Sequence, residues 1–219
     1  MENKAYLKII KIDSVGSTNV YSCKLAKDGA REITIVRANS QTKGRGRMGR
    51  SWISPKNKGI YSSFIFRPSN SLDDMYYLPV IFALAVARAL QHILPLKIKL
   101  PNDIVAADRK IAGILVEAKV AKEKADFVVV GIGINVNAEK EELVQKASSL
   151  YLETGIKYNI DDLFRKLIME VIFIYNEFKR GNIKALLKEV FLYQEIKSLK
   201  KLQVRVLRNK AAQEWVHLL

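Results

Sequence analysis

The sequence predicts an α/β fold in which helices cover a β-sheet. Several short runs are rich in β-branched and aromatic residues, which is typical of strands. Residues 127–136 are almost continuously apolar, as expected of a strand that is covered on both faces. Residues 161–180 repeat apolar side chains at helical spacing, so one face of this helix is expected to pack on the core.

The first half of the chain is expected to combine three strands with one helix. Ser17 suits the N-cap position of that helix, and Gly29 lies just past its expected end. The expected elements are strands at residues 6–12, 32–38 and 59–66 and a helix at residues 18–27. A glycine-rich loop then lies between the second and third of these strands.

The second half is expected to begin with a long buried helix that has His92 near its end, and we interpret His92 as structural. The expected elements are helices at residues 73–94 and 161–180 and strands at residues 97–100, 104–106, 110–120, 127–136 and 203–207. This pattern predicts a main domain over residues 1–188 and a small appendage over residues 189–219.

Length and composition fit a protein with a sizeable core, since 49% of the 219 residues are hydrophobic. Residues 80–87 form the longest purely apolar stretch near a helix, far short of the ~20 residues that span a bilayer. The N-terminus has no signal-peptide pattern. One cysteine, Cys23, and two distant histidines, His92 and His217, argue against a Cys/His metal site. We therefore expect a cytoplasmic protein that does not span a membrane.

The formal net charge of +15 is concentrated in two blocks. Residues 33–72 contain eight cations and no acid, and residues 179–210 contain ten cations and two acids. Each block contributes +8, so the remainder is nearly neutral. We interpret the first block as functional and the second as a charged outer helix face.

The segment at residues 44–50 reads Gly-Arg-Gly-Arg-Met-Gly-Arg. Glycine tolerates positive φ, so such a loop can turn its backbone N–H groups toward an anion. Arginine adds planar donor forks for phosphate or carboxylate oxygens. A second candidate, Ser17-Thr18-Asn19, lies at an expected helix N-terminus, where it could bind a small polar group or simply cap the helix.

Five segments occur in an order that closely resembles biotin protein ligase. They are STN at residues 17–19, QTKGRGRMGRSW at 41–52, KLPND at 99–103, RKIAGILVE at 109–117 and GIGINVN at 131–137. A weaker match continues at residues 147–150. The resemblance implies a mixed, largely antiparallel sheet flanked by helices, like that of class II aminoacyl-tRNA synthetases. It also implies an enzyme that makes biotinyl-5′-AMP from biotin and ATP and then biotinylates a lysine of a biotin carboxyl carrier domain.

The resemblance also implies roles for individual residues. Those expected to act in catalysis are Lys110, Arg45 and Arg47. Those expected to bind biotin are Ser17, Thr18, Asn19, Gln41, Gly44, Arg45, Gly46, Arg47, Lys110 and Gly113. Those expected to bind ATP are Arg45, Arg47, Met48, Gly49, Arg50, Trp52, Asn102, Lys110 and Asn135. Asp103 is the candidate ligand for Mg²⁺, or it orients Lys110 or Arg50.

Two of these residues have structural alternatives. Trp52 could stack on adenine or fill the core, and Lys110 could be an edge-strand lysine that deters aggregation. The sequence also departs from the family pattern, because Leu100 stands where tryptophan is usual and Met48 where arginine is frequent.

The chain ends lead to further expectations. The first strand begins too early for the DNA-binding winged helix of the repressor members, so no specific DNA binding is expected. The SH3-like C-terminal region is expected to be shortened, and a homodimer is expected from the family. Three other functions stay open: a lipoate ligase, a basic nucleic-acid-binding module, and a homologue that binds biotinyl-AMP without catalysis.

Overall fold

The computed structural model describes residues 7–121 and 124–193. Within them lie seven strands and five α-helices. The strands are β1 (Lys8–Val15), β2 (Thr34–Gln41), β3 (Gly59–Phe66), β4 (Lys97–Lys99), β5 (Asp103–Ala106), β6 (Arg109–Ala121) and β7 (Lys124–Asn135). The helices are α1 (Thr18–Lys27), α2 (Leu78–Leu90), α3 (Leu150–Thr154), α4 (Ile160–Lys179) and α5 (Ile183–Leu192).

The strands of this described part form one sheet in the order β1-β2-β3-β7-β6-β5-β4. The pair β1·β2 is parallel, and the other neighbours pair antiparallel. Helix α1 is the crossover between the two parallel strands, as such a connection requires. The expected mixed, largely antiparallel sheet flanked by helices is confirmed.

The two faces of β7 show how the sheet is covered. Successive side chains of a strand point to opposite faces. Val128, Val130 and Ile132 belong to the larger core, which also contains the buried faces of α2, α4 and α5. Phe127 and Val129 point the other way, into a smaller core with Ala26 of α1. Strand β7 is therefore covered on both faces over this stretch, as its apolar sequence predicts.

Several element boundaries differ from the sequence prediction. A short 3-10 helix at Asp73–Tyr77 precedes α2, which begins at Leu78 with Pro79 in its first turn. Proline suits that position because its missing N–H has no partner there in any case. The expected helix at residues 73–94 was too long at both ends. His92 lies beyond α2 and is exposed, with its Nε2 2.9 Å from Lys166 Nζ.

Strand β2 continues past the predicted residue 38 to Gln41, because Gln41 still pairs with Val15 of β1. The predicted strand at residues 203–207 lies outside the described residues. Helix α5 runs through the predicted boundary between residues 188 and 189. The division into a main domain and an appendage remains a prediction.

Among the residues described, none of the helices combines the length and the apolar character needed to cross a bilayer.

Arg88 joins the three helices of the larger core. Its Nε donates to Glu189 Oε1 at 2.7 Å, its Nη2 binds the other oxygen of Glu189, and its Nη1 lies 3.5 Å from Glu170 Oε2. The guanidinium also lies 5.0 Å from the centre of the Phe173 ring. One side chain of α2 thus holds α4 and α5 in place.

Replacing Arg88 with methionine is expected to lower the free energy of unfolding by about 1–3 kcal/mol, because it removes charge-assisted hydrogen bonds from two partly buried carboxylates. Urea denaturation would measure this. Arg165→Met is the matched control, since its ion pair with Asp162 is exposed and should contribute less than about 0.5 kcal/mol. Equal losses in the two variants would contradict the role given to Arg88.

Candidate functional site

A cleft of about 350 Å³ lies on the face of the sheet beside α1. Its floor is formed by β6 and β7, and its walls come from the start of α1, the loop after β2 and the segment before β5. The cleft brings together most of the residues that the sequence singled out. They are Ser17, Thr18, Asn19, Gln41, Arg45, Gly46, Arg47, Arg50, Trp52, Asn102, Asp103, Lys110, Gly113 and Asn135.

Glycines form the floor of the cleft. Gly113 and Gly133 lie opposite each other on β6 and β7, and Gly131 precedes Gly133 on the same face. A Cβ at Gly131 would stand 2.0 Å from Asn19 Oδ1, and one at Gly133 would stand 2.6 Å from Trp52 Cε2. Glycine is therefore required for these two side chains to lie directly on the sheet. Gly131 and Gly133 belong to the segment GIGINVN, but the sequence analysis gave them no role of their own, although closely spaced glycines in an apolar strand signal such close approach.

One end of the cleft is a polar pocket at the start of α1. Gln41 Oε1 accepts hydrogen bonds from the Thr18 backbone N–H at 2.8 Å and from Thr18 Oγ1 at 3.0 Å. Gln41 Nε2 donates to Ser54 Oγ at 2.8 Å. Ser63 Oγ donates to Asn19 Oδ1 at 2.6 Å and lies 2.8 Å from Thr18 Oγ1. The pocket is thus preorganised by its own hydrogen bonds.

Ser17 is the N-cap residue of α1 by its extended backbone, at φ −155° and ψ 130°. In the part of the chain that the structure describes, its side chain makes no capping hydrogen bond. A role for Ser17 in binding biotin remains a prediction.

The arginine-rich loop is a hairpin closed by its own backbone. The Gly46 N–H donates to the Arg50 carbonyl at 2.6 Å, and the Trp52 N–H donates to the Gly44 carbonyl at 2.9 Å. Met48, with φ 56°, lies at the tip, and its residue surface is 90% exposed. Gly49 follows with φ 74°, a conformation that glycine adopts without strain.

Three residues predicted in the loop fall outside the described lining of the cleft. They are Gly44, Met48 and Gly49. Gly44 packs instead against the Trp52 carbonyl, where a Cβ would stand 2.3 Å from the oxygen. Roles for these three residues in binding biotin or ATP remain predictions.

The loop arginines contact residues from across the sheet. Arg45 Nη1 lies 3.2 Å from Glu117 Oε1 on β6. Arg47 Nη1 donates to Asn102 Oδ1 at 2.9 Å, and Asn102 Nδ2 donates to the Ile114 carbonyl at 2.8 Å. Arg45 and Arg47, which both line the cleft, are therefore each held by a polar side chain from another segment.

Lys110 occupies the middle of the cleft. Its Nζ lies 2.7 Å from Asp103 Oδ1 and 5.3 Å from the centre of the Trp52 ring. Lys110 pairs with Val105 of β5 on one side and with Ala147 on the other, so it is not at an open edge of the sheet formed by the described strands. The alternative of an edge-strand lysine was wrong. Trp52 lies over Gly113 and Gly133 in the cleft, which favours the ligand interpretation over a core tryptophan.

The segment at residues 146–148 fixes the far side of the cleft. The Lys110 N–H donates to the Lys146 carbonyl at 3.0 Å, and the Ser148 N–H donates to the Lys110 carbonyl at 2.9 Å. Asn135 Nδ2 donates to the Ser148 carbonyl at 2.9 Å. The weaker sequence match at residues 147–150 thus corresponds to a strip that positions Lys110 and Asn135. Sequence reasoning missed Lys146, which also lines the cleft.

Cys23 of α1 lies near this site. Burial raises the pKa of its thiol, and the Glu117 carboxylate raises it further. A protonated thiol is a weak nucleophile at neutral pH, so Cys23 is a structural rather than a reactive residue.

Comparison with known proteins matches the region that contains most of the cleft lining. A model of the biotin/lipoate A/B protein ligase family matches residues 12–135. The bifunctional ligase/repressor BirA of Bacillus spizizenii is 35% identical over 167 residues, which cover 74% of this chain and 51% of that protein. The biotin–[acetyl-CoA-carboxylase] ligase of Mycobacterium tuberculosis is 34% identical over 152 residues, which cover 66% and 55%. The chain spans about half the length of these curated relatives.

Solved structures share the fold. A biotin protein ligase from Aquifex aeolicus, in complex with biotin and ATP, superposes with a TM-score of 0.73 at 31% identity, over 86% of this chain and 79% of that one. A biotin protein ligase from Leishmania major gives a TM-score of 0.71 at 22% identity, over 86% of this chain and 81% of that one, a likeness of fold alone.

Proposed function

Since the chain belongs to the biotin/lipoate A/B protein ligase family, we propose that it is an ATP-dependent biotin protein ligase. The observation that supports this most directly is the juxtaposition of Lys110 with loop arginines in one cleft that ends in a polar pocket. A hydrogen-bonding pocket suits the ureido head of biotin. The cations suit its carboxylate and the phosphates of ATP.

The proposed first step joins two anions. A carboxylate oxygen of biotin attacks the α-phosphorus of ATP, the bond from that phosphorus to the bridging oxygen breaks, and pyrophosphate leaves. Lys110 and the loop arginines would offset the charge that accumulates, and charge-assisted hydrogen bonds contribute roughly 1.5–3 kcal/mol each. In the second step, a lysine amine of the acceptor attacks the acyl carbon, AMP leaves, and the amine loses a proton.

Before substrates bind, two cations of the cleft are paired with acidic side chains. Lys110 is paired with Asp103 and Arg45 with Glu117, so each cation has an acidic partner that an incoming anion can replace. Preorganised donors of this kind stabilise developing charge without reorganisation during the reaction. Trp52 supplies an aromatic surface beside them, which suits stacking on adenine.

We propose that Mg²⁺ arrives with ATP rather than residing in the protein. Among residues 7–121 and 124–193, no group of three or more acidic, histidine or cysteine side chains is placed to hold a metal ion. Mg²⁺ commonly binds through substrate phosphates and one or two carboxylates. Asp103 fits that single role, and the ion would neutralise phosphate charge.

The other functions are less well supported. The curated relative from Mycobacterium tuberculosis is named as a biotin ligase, which favours biotin over lipoate. A nucleic-acid-binding surface would need a continuous stripe of free cations. Many cations of residues 33–72 instead form ion pairs with acidic residues dispersed over the surface. These pairs are Arg37–Asp161, Lys56–Asp13, Lys58–Glu139 and Arg67–Asp126. We therefore propose no specific DNA-binding role for the described part of the chain.

We further propose a carrier domain of a biotin-dependent carboxylase as the acceptor, a cytoplasmic location and a homodimer. The edge position of β1, with Ile9 on the strand and Leu7 just before it both exposed, supports a dimer. Light scattering over a range of protein concentrations would test the dimer.

The test of the proposed function uses the purified full chain with biotin, Mg²⁺ and ATP labelled with ³²P at the α-phosphate, without acceptor. Labelled biotinyl-5′-AMP should form with biotin and not with lipoate. Binding of biotin by calorimetry without adduct would support the non-catalytic homologue instead. Adduct with lipoate alone would favour the lipoate ligase, and binding of neither acid would refute the assignment.

A further inference from the structure

Glu117 connects two parts of the cleft that the sequence treats separately. It lies on β6, and its carboxylate accepts a hydrogen bond from Asn19 Nδ2 at 2.9 Å. The other oxygen lies 3.2 Å from Arg45 Nη1. One carboxylate therefore holds both a residue of the polar pocket and an arginine of the loop.

The Asn19 amide is fixed from both sides. Its Oδ1 accepts from Ser63, and its Nδ2 donates to Glu117 and to the Leu115 carbonyl at 3.3 Å. Asn19 is only 4% exposed, so its contact with Glu117 is largely shielded from solvent. That contact needs an acceptor oxygen at residue 117 and does not need a negative charge.

The contact with Arg45 is of a different kind. The Arg45 side chain is 52% exposed and that of Glu117 is 28% exposed. Ion pairs this open to solvent are weak and exchange readily. The contact between Arg45 and Glu117 is made by side chains alone. The guanidinium can therefore move while the strands stay in place.

We propose that Glu117 is a positioning residue that holds Arg45 at the side of the cleft until an anionic substrate takes its place. This inference rests on the proposed function, in which Arg45 contacts the carboxylate of biotin. Glu117 then competes with that carboxylate for one guanidinium. The competition lowers the affinity for biotin and keeps the arginine oriented in the meantime.

The proposal predicts that removing the charge of Glu117 tightens biotin binding. Glu117→Gln keeps an acceptor oxygen for Asn19 and removes the competing carboxylate. Calorimetry with biotin and the full chain, without ATP, should show a dissociation constant about 2- to 5-fold lower than that of the unmodified protein, which is the range expected for an exposed ion pair. A merely structural role would weaken binding instead.

Two further measurements separate charge competition from a general change of the cleft. The uncharged methyl ester of biotin should bind Glu117→Gln and the unmodified protein equally. In an Arg45→Ala background, adding Glu117→Gln should leave biotin affinity unchanged, because the contested group is gone. Asp126→Asn is the matched control, since this carboxylate on β7 likewise contacts two side chains, here the cations Arg67 and Lys119, and lies outside the cleft lining.

Unchanged or weaker biotin binding by Glu117→Gln would overturn the proposal, as would equal tightening toward the ester. If Glu117→Gln unfolds, Arg45→Ala still allows the proposal to fail. Unchanged biotin affinity there would overturn it, because Glu117 and biotin would then have no guanidinium to compete for, and reduced affinity would support the premise that Arg45 contacts the biotin carboxylate. These outcomes are distinct from a failure of the proposed function, in which the unmodified protein would itself not bind biotin.

Discussion

Replacing Lys110 with glutamine is expected to lower the rate of biotinyl-5′-AMP formation by about 10²- to 10³-fold, the usual cost of removing a preorganised donor from developing charge. Lys110 is the central cation of the cleft, 2.7 Å from Asp103 and close to Trp52. Glutamine keeps a polar side chain of similar bulk and removes the charge. The loss should therefore be in the rate at saturating biotin and ATP and not in folding.

Single-turnover formation of the labelled adenylate would measure this effect. Lys119→Gln is the matched control, because Lys119 lies on the same strand, pairs with Asp126 and is outside the described cleft lining. Lys110→Arg should recover only part of the rate, since a planar fork does not replace a compact ammonium. A rate for Lys110→Gln within threefold of the unmodified protein would exclude Lys110 from the catalytic residues.

The sequence predicts the parts of this site whose chemistry is local. The arginine-rich loop, the polar start of α1 and Lys110 each lie in a short run of residues whose types predict a binding or catalytic role. Their meeting in one cleft confirms that the segments belong together. Helix α1 and strand β3 were also predicted with their observed bounds, because apolar spacing and flanking glycines define them locally.

What could not be predicted depends on partners distant in sequence. Glu117 ends the segment RKIAGILVE, but its contact with Asn19, 98 residues away, has no local signal in the sequence. The end of β2 at Gln41 depends on pairing with β1, which no local pattern reveals. Met48 belongs to the arginine-rich loop, whose sequence suits anion binding. Its positive φ at the tip of the hairpin nevertheless turns its side chain into solvent. Backbone conformation in a short loop decides which side chains enter a cleft, and composition does not determine it.

The glycine floor leads to the second large expected effect. Gly131→Ala should lower the free energy of unfolding by about 1–3 kcal/mol, the usual cost of overpacking, and should weaken biotin binding. The added Cβ would stand 2.0 Å from Asn19 Oδ1 and 2.7 Å from its Cγ, so the amide must move. Moving it breaks the hydrogen bonds to Ser63 and Glu117, which organise the polar pocket.

The sign of the change in unfolding free energy distinguishes the close contact between Asn19 and Gly131 from the usual effect of replacing a glycine with alanine. Where space and backbone permit, Gly→Ala stabilises a protein by about 0.4–1 kcal/mol, because it restricts the unfolded chain. Gly16→Ala is that control, since a Cβ there would meet nothing within 4 Å. Chemical denaturation of both variants should give changes of opposite sign. Stabilisation by Gly131→Ala would show that Asn19 does not lie on the sheet.

Asn19→Ala completes the test, because it removes the amide that the new Cβ would strike. Alone it should destabilise the protein through loss of the contacts with Ser63 and Glu117. In the Gly131→Ala background it should cost much less, since those contacts are already broken and the clash is relieved. A double variant that is less destabilised than the sum of the two single changes would place the Asn19 amide against Gly131 in solution. Additive changes would instead mean that the two residues act independently, and the glycine floor would then need another explanation.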